Sequence, residues 1–240
     1  MTRIHVEIAL AENAQLELPE AAARHVAQVL RMRAGEALVL FDGRGGEYAA
    51  TIEAVERRAV RVRTGAHQAI ERESKLAITL AQCVSKGERM DYTIQKAVEL
   101  GVSAIVPLLS ARSVVRIDAE RWEKKLEHWR GVIVAACEQS GRTRLPELTP
   151  VQALDRWLPA APGAARLVLA PEGGASLKAL PAAGGAVLMA GPEGGLSEPE
   201  IALAERHGFA RLGLGPRVLR TETAGVAAIA ALQALWGDLA

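Results

Sequence analysis

"LMAGPEGGLSEPEI", residues 188–201, carries an apolar segment into four turn-forming residues, Gly191, Pro192, Gly194 and Gly195, and then into a helix start. Ser197 with Glu200 three residues on has the spacing of a capping box, in which each residue satisfies a free amide of the other's turn. A strand that ends in glycine lets a backbone come close to a ligand, and the same glycines also serve a bare strand-to-helix turn. No Gly-Lys-Ser/Thr follows, so a P-loop is excluded.

Two further strand ends share this character. "LVLAPEGG" (167–174) repeats the Pro-Glu-Gly-Gly string, and "LGLGPRVLRTETAG" (212–225) leads into a long Ala, Val, Ile and Leu run. In a parallel sheet, strand ends of this kind meet at the carboxyl edge, where open α/β sheets bind ligands. The third stretch carries Arg217 and Arg220 before a helix N-terminus, where the helix dipole disfavours cations. Those arginines therefore need another reason to be there.

The surrounding rhythm agrees with a parallel sheet. From "SKLAITLAQCV" onward, apolar strands ("KLAITLAQ", "SAIVPLLS", "ARLVLAP", "GAVLMAGP", "FARLGLG") alternate with helices expected near 88–100, 119–140, 198–207 and 222–237. Residues before the charged join "ERESK" (71–75) read as short strands with tight turns and one helix, "PEAAARHVAQVLRM". The glycines of "DGRGGEY" open no helix, so they are not a dinucleotide fingerprint. Two domains are expected, 1–73 and 74–240. The fold class is α/β.

Composition narrows the function classes. The chain has 240 residues, half of them hydrophobic, which suffices for these two cores. Its net charge of +1 gives no global polyanion signal, so any nucleic-acid footprint is local. Aromatic residues are 3%, too few for an open base-stacking platform. Cys83 and Cys137 stand apart without metal-ligand spacing, so no zinc site or disulfide framework is expected. "MTRIHVEIAL" lacks the long apolar core of a signal peptide and no apolar run is long enough for a membrane span, which suits a cytoplasmic protein.

"GPEGGLSEPEI" followed by "LGPRVLRTETAGVAAIAALQ" resembles the C-terminal half of the SPOUT-class, trefoil-knotted RNA methyltransferases. Within that class the chain is most similar to the RsmE type, which methylates N3 of a uridine in 16S ribosomal RNA. "KGERMDYTIQKAVELGV" (86–102) and "ACEQSGRTRLPE" (136–147) extend the match, and "RHVAQVLRMRAGE" (24–36) resembles the family's small N-terminal PUA-like β-barrel. Family members often carry two adjacent histidines where this chain has Arg24 and His25.

The resemblance implies a knotted C-terminal domain whose loops hold S-adenosyl-L-methionine. Carried over, the cofactor residues are Leu169, Ala170, Gly173, Met189, Gly191, Pro192, Gly194, Gly195, Leu212, Leu214, Gly215, Leu219 and Thr221. Binding through backbone groups explains the excess of glycine and aliphatic residues there, and a side chain at Gly191 is expected to enter the ligand's space. The family acts as a homodimer on the small ribosomal subunit, and no metal is implied.

Uridine N3 is protonated at neutral pH, so its methylation needs a proton acceptor and stabilisation of the resulting anion. Arg220 is expected to stabilise the charge, and Glu222 or Glu138 to take the proton. Glu222 in a first helical turn also suits the dipole alone, and Glu138 with Arg142 has ordinary i,i+4 ion-pair spacing. Cys137 on an apolar helix face reads as a small core residue rather than a nucleophile. RNA contacts are expected from Arg31, Arg33, Arg44, Lys86, Arg89, Lys96, Arg142 and Arg217, while "ERRAVRVR" (56–63) also suits a plain solvated strand face. Ribose 2′-O methylation and a non-catalytic RNA-binding assembly factor are the competing readings.

Overall fold

The computed structural model describes residues 1–57, 59–113, 118–162, 165–172 and 174–239. Its strands, in chain order, are β1 (Arg3–His5), β2 (Gln15–Glu17), β3 (Ala37–Phe41), β4 (Glu47–Val55), β5 (Val60–Gln68), β6 (Ala77–Cys83), β7 (Ala104–Leu109), β8 (Glu147–Leu148), β9 (Gln152–Ala153), β10 (Ala165–Leu169), β11 (Ala175–Ser176), β12 (Gly185–Ala190) and β13 (Ala210–Gly213). The α-helices are α1 (Glu20–Arg24), α2 (Glu88–Glu99), α3 (Ala119–Ser140), α4 (Leu154–Trp157), α5 (Glu198–Arg206) and α6 (Thr221–Trp236).

These elements form two compact units. One comprises Met1–Glu73 with Val134–Leu145, the other Ser74–Ile133 with Pro146–Ala240. A single cut near residue 73 therefore leaves out Val134–Leu145, which belongs with the first unit.

The first unit holds a sheet of order β1-β3-β4-β5-β2, antiparallel except where β1 meets β3. Its core gathers one face of these strands, Ile4, Leu38, Leu40, Ile52 and Val62, against Ala22, Ala23 and Val26. The alternation BeBeB along the start of β5 is what a half-buried strand requires. After α1 the chain makes one π-helical turn, His25–Val29, so the helix read over this stretch changes its winding partway along.

Parallel strands ordered β11-β13-β10-β12-β6-β7-β8 dominate the second unit, with β9 also pairing β7. The central strands β12, β6 and β7 are buried over most of their lengths, as expected where helices cover both faces. One core joins Ala81, Cys83, Val106, Leu108, Val187 and Met189 to Trp157, Ile201 and Phe209. Each large aliphatic side chain fully buried there contributes about 1.5–3 kcal/mol of hydrophobic stabilisation.

Helix α6 packs on α2 and β12. It buries Thr221, Gly225, Ala228, Ile229 and Leu232, a stripe at i, i+4 and i+7 spacing. Leu235, outside this stripe, is 47% exposed. Glu200 starts α5 as the capping pattern predicts: its Oε2 accepts the Ser197 amide and hydroxyl, both at 2.8 Å.

Candidate active site

Strands β13, β10 and β12 are adjacent and parallel, so their carboxyl ends open on one edge of the sheet. Together with the approach to α6 they line a cleft of about 510 Å³. Leu169, Ala170, Gly191, Pro192, Gly194, Gly195, Leu212, Leu214, Gly215, Leu219 and Thr221 all lie on its wall, with Arg217, Arg220 and Glu222 beside them. Residues that the sequence spreads over more than fifty positions are thus brought together by sheet order alone.

Two expected cofactor residues are not on this wall. Met189 is fully buried in the core beneath it, because strand alternation turns its side chain away, and Ala190 lines the cleft instead. Gly173 lies outside the described residues.

Two residues expected in chemistry or RNA contact have structural partners in the first unit. The Glu138 carboxylate accepts the His5 amide at 2.9 Å. Arg142 is 3% exposed and its guanidinium pairs with both oxygens of Glu73, while its carbonyl accepts from Arg3. Its place just beyond the end of α3 takes it off the helical spacing, and its burial removes it as an RNA contact. Arg142→Ala is accordingly expected to lower stability by about 3 kcal/mol, the cost of leaving a partly buried carboxylate unpaired, without altering the salt dependence of RNA binding. Denaturant unfolding and binding titrations check the two halves.

The charges at the cleft divide into paired and unpaired groups. Arg89 donates to Glu193 Oε1 at 2.9 Å and stands 3.9 Å from Glu222 Oε2. Burial pushes the Glu193 carboxyl up, but bonds from the Lys86 and Glu193 amides and from Arg89 outweigh it and hold the group below its ordinary value. Glu222 Oε2 is buried and accepts no hydrogen bond among the described residues. Arg217 and Arg220 are exposed and carry no ion pair among the described residues. Both face the cleft, which answers why cations precede a helix there.

Elsewhere, Lys96 pairs with Glu99 at 2.8 Å, and Lys86 is exposed. Arg31, Arg33 and Arg44 are exposed with no ion pairs among the described residues, whereas Arg61 and Arg63 are paired with Glu56 and Glu53. Arg24 and Arg57 line a separate depression of about 720 Å³ in the first unit, together with Glu17, Glu20 and Glu56. Burial pushes the thiols of Cys83 and Cys137 up to about 12, so neither is a thiolate nucleophile. Among the described residues no group of His, Cys, Asp and Glu forms a metal site, and no helix is long and apolar enough to cross a membrane.

Two wall-forming contacts were not read from the sequence. Arg112 Nη1 donates to the Gly194 carbonyl at 2.8 Å and lines the cleft, a pairing across 82 positions that no local pattern announces. Gln82, at the end of β6 and fully buried, donates through Nε2 to the carbonyls of Cys83 (3.0 Å) and Gly191 (3.2 Å) and to Thr221 Oγ1 (3.1 Å). Its signal was present: a lone amide inside an apolar strand needs partners.

The fold and cleft define an RNA methyltransferase. The RNA methyltransferase domain family matches residues 72–233, and the RNA methyltransferase PUA domain family matches residues 18–64. More narrowly, the chain belongs to the ribosomal RNA small subunit methyltransferase E family. The protein of that name from Buchnera aphidicola is 33% identical over 99% of this chain and 97% of its own length. A Neisseria gonorrhoeae family member solved with S-adenosyl methionine has a TM-score of 0.94 at 39% identity, covering all of both chains. A Legionella pneumophila structure described as a methyltransferase with bound SAM reaches 0.97 at 44% identity, covering 99% of each.

Proposed function

We propose that this protein transfers a methyl group from S-adenosylmethionine to N3 of a uridine in small-subunit ribosomal RNA. The observation that carries the reading is the cleft at the carboxyl edge, where apolar strand ends and glycine backbone meet Arg217 and Arg220, neither ion-paired among the described residues, and the Glu222 carboxylate. This donor set suits S-adenosylmethionine. Leu169, Ala170, Leu196, Leu212, Leu214 and Leu219 offer apolar walls, and the Gly191–Gly195 turn offers backbone groups.

The cofactor supplies an electrophilic methyl on a sulfonium. Arg220 hydrogen-bonds the uracil carbonyl oxygens as charge develops on them, and Glu222 accepts the N3 proton. Cys83 and Cys137, with their raised values, fit an N3 attack that requires no thiol addition to the ring.

The domain of residues 1–73 docks the RNA in this reading, and Arg31, Arg33 and Arg44 supply phosphate contacts there, joined by Lys86 and Arg217. The double variant Arg31→Glu, Arg33→Glu is expected to weaken RNA binding about tenfold or more at moderate salt, to reduce the salt slope by about two, and to leave S-adenosylmethionine affinity unchanged. Filter binding over a salt series, with calorimetry for the cofactor, measures both. The enzyme works in the cytoplasm as a homodimer, and the partly exposed apolar side of α6 around Leu235 suits a subunit contact.

Methyl transfer to small subunits from cells lacking the enzyme, followed by nucleoside mass spectrometry, tests the function. N3-methyluridine is the expected product. A ribose 2′-O product replaces the base chemistry, and absent cofactor binding favours an assembly factor.

A further inference from the structure

We infer that Gln82 is a positioning residue that locks the Gly191 loop to the start of α6, so that cofactor wall and catalytic side chains hold one geometry. Gln82 sits in register with Ala190 on the neighbouring strand, one residue before Gly191. Its Nε2 reaches the Gly191 carbonyl and Thr221 Oγ1, and the Thr221 hydroxyl donates in turn to the same carbonyl at 2.6 Å. The triangle thus joins β6, the loop after β12, and the first residue of α6. Arg220 and Glu222 flank Thr221, so whatever fixes Thr221 fixes the backbone that carries both.

The chemistry at position 82 is specific to an amide donor. The Gly191 and Cys83 carbonyls accept only, so the NH₂ end must face them, and Oε1 is left buried without a hydrogen-bond partner. Gly225 of α6 leaves the space beside that oxygen, since a Cβ there would lie 3.4 Å from it. An apolar side chain of similar volume would spare the unsatisfied Oε1 but withdraw the donor from the Cys83 and Gly191 carbonyls, so the two effects on stability oppose each other. Its use lies in what the donor end holds.

The inference rests on the methyltransferase reading, and wild-type protein that binds no S-adenosylmethionine removes both. Gln82→Met keeps the volume and deletes the donor. The expected result is S-adenosylmethionine affinity by calorimetry reduced about tenfold, with a ligand-free thermal midpoint within a few degrees of wild type, since loss of the donor and loss of the orphan Oε1 oppose each other. Gln82→Glu places a carboxylate against two acceptors and should bind more weakly still at neutral pH. As pH falls, protonation restores a donor, and its affinity relative to wild type at the same pH should recover. Wild-type affinity in Gln82→Met overturns the role of Gln82 alone. A loss of affinity that follows a loss of thermal stability in both variants, with no recovery at low pH, makes Gln82 an ordinary structural residue and also overturns it. Should Gln82→Met fail to fold, the pH series on Gln82→Glu decides by the same criterion.

Discussion

Gly191→Leu is expected to lower S-adenosylmethionine affinity by about a hundredfold or more while the protein stays folded. A Cβ built at Gly191 meets the Leu196 amide nitrogen at 2.8 Å and the Gly195 carbonyl carbon at 2.9 Å, both backbone atoms of the same loop. The sequence reading placed the added side chain in the ligand's space; the first collision is instead with the Pro192–Gly195 turn, closed by a 2.8 Å bond from the Gly195 amide to the Pro192 carbonyl. The turn must move, and the Gly191 carbonyl, which accepts from Gln82 and Thr221, moves with it. Backbone amides that line a ligand cleft lose most of their value when displaced by an ångström. Destabilisation stays moderate because the clash lies at the sheet edge. Calorimetry and a thermal melt give the two quantities, and wild-type affinity would take Gly191 out of the cofactor site.

The strands and long helices were legible because each is written in local pattern. The four helices anticipated at 88–100, 119–140, 198–207 and 222–237 occur as Glu88–Glu99, Ala119–Ser140, Glu198–Arg206 and Thr221–Trp236. Glu200 shows why α5 was readable: its partner is three residues away. The same carboxylate also accepts the Ala111 amide at 2.7 Å, across 89 positions, and nothing in the sequence marks that bond. Position along the chain equally hides what a side chain does once buried. Arg142 looks like any surface arginine in "CEQSGRTR" until Glu73 is brought to it. Met189 was included because the loop residues were carried over as a run, whereas its side chain is buried in the core and the next residue, Ala190, lines the cleft. The short strands β8, β9 and β11, two residues each, exist through pairing with longer neighbours and have no pattern of their own.

For Arg220→Lys the expected result is a loss of turnover of about a hundredfold, with cofactor and RNA affinity close to wild type. Arg220 is the residue just before α6, exposed, on the cleft wall, and without an ion pair among the described residues. Its guanidinium is therefore available to substrate in a way that Arg89, held by Glu193, is not. Its backbone is fixed independently of its side chain, because the Arg220 carbonyl accepts the Thr223 and Ala224 amides at 3.0 and 2.8 Å. Substitution thus changes the head group without moving its anchor. Lysine preserves the charge but replaces a planar fork by a point charge, so a uracil carbonyl and a neighbouring acceptor can no longer be addressed together. If the arginine acts on the anion that forms when N3 loses its proton, the deficit appears in kcat and shrinks as pH rises, since solvent then removes that proton more readily. Steady-state kinetics across a pH series, set beside RNA binding at fixed salt, separates this from a positional role. A variant whose RNA affinity falls in step with its activity makes Arg220 a phosphate contact, and charge stabilisation then passes to Arg217, which also lines the wall without an ion pair among the described residues.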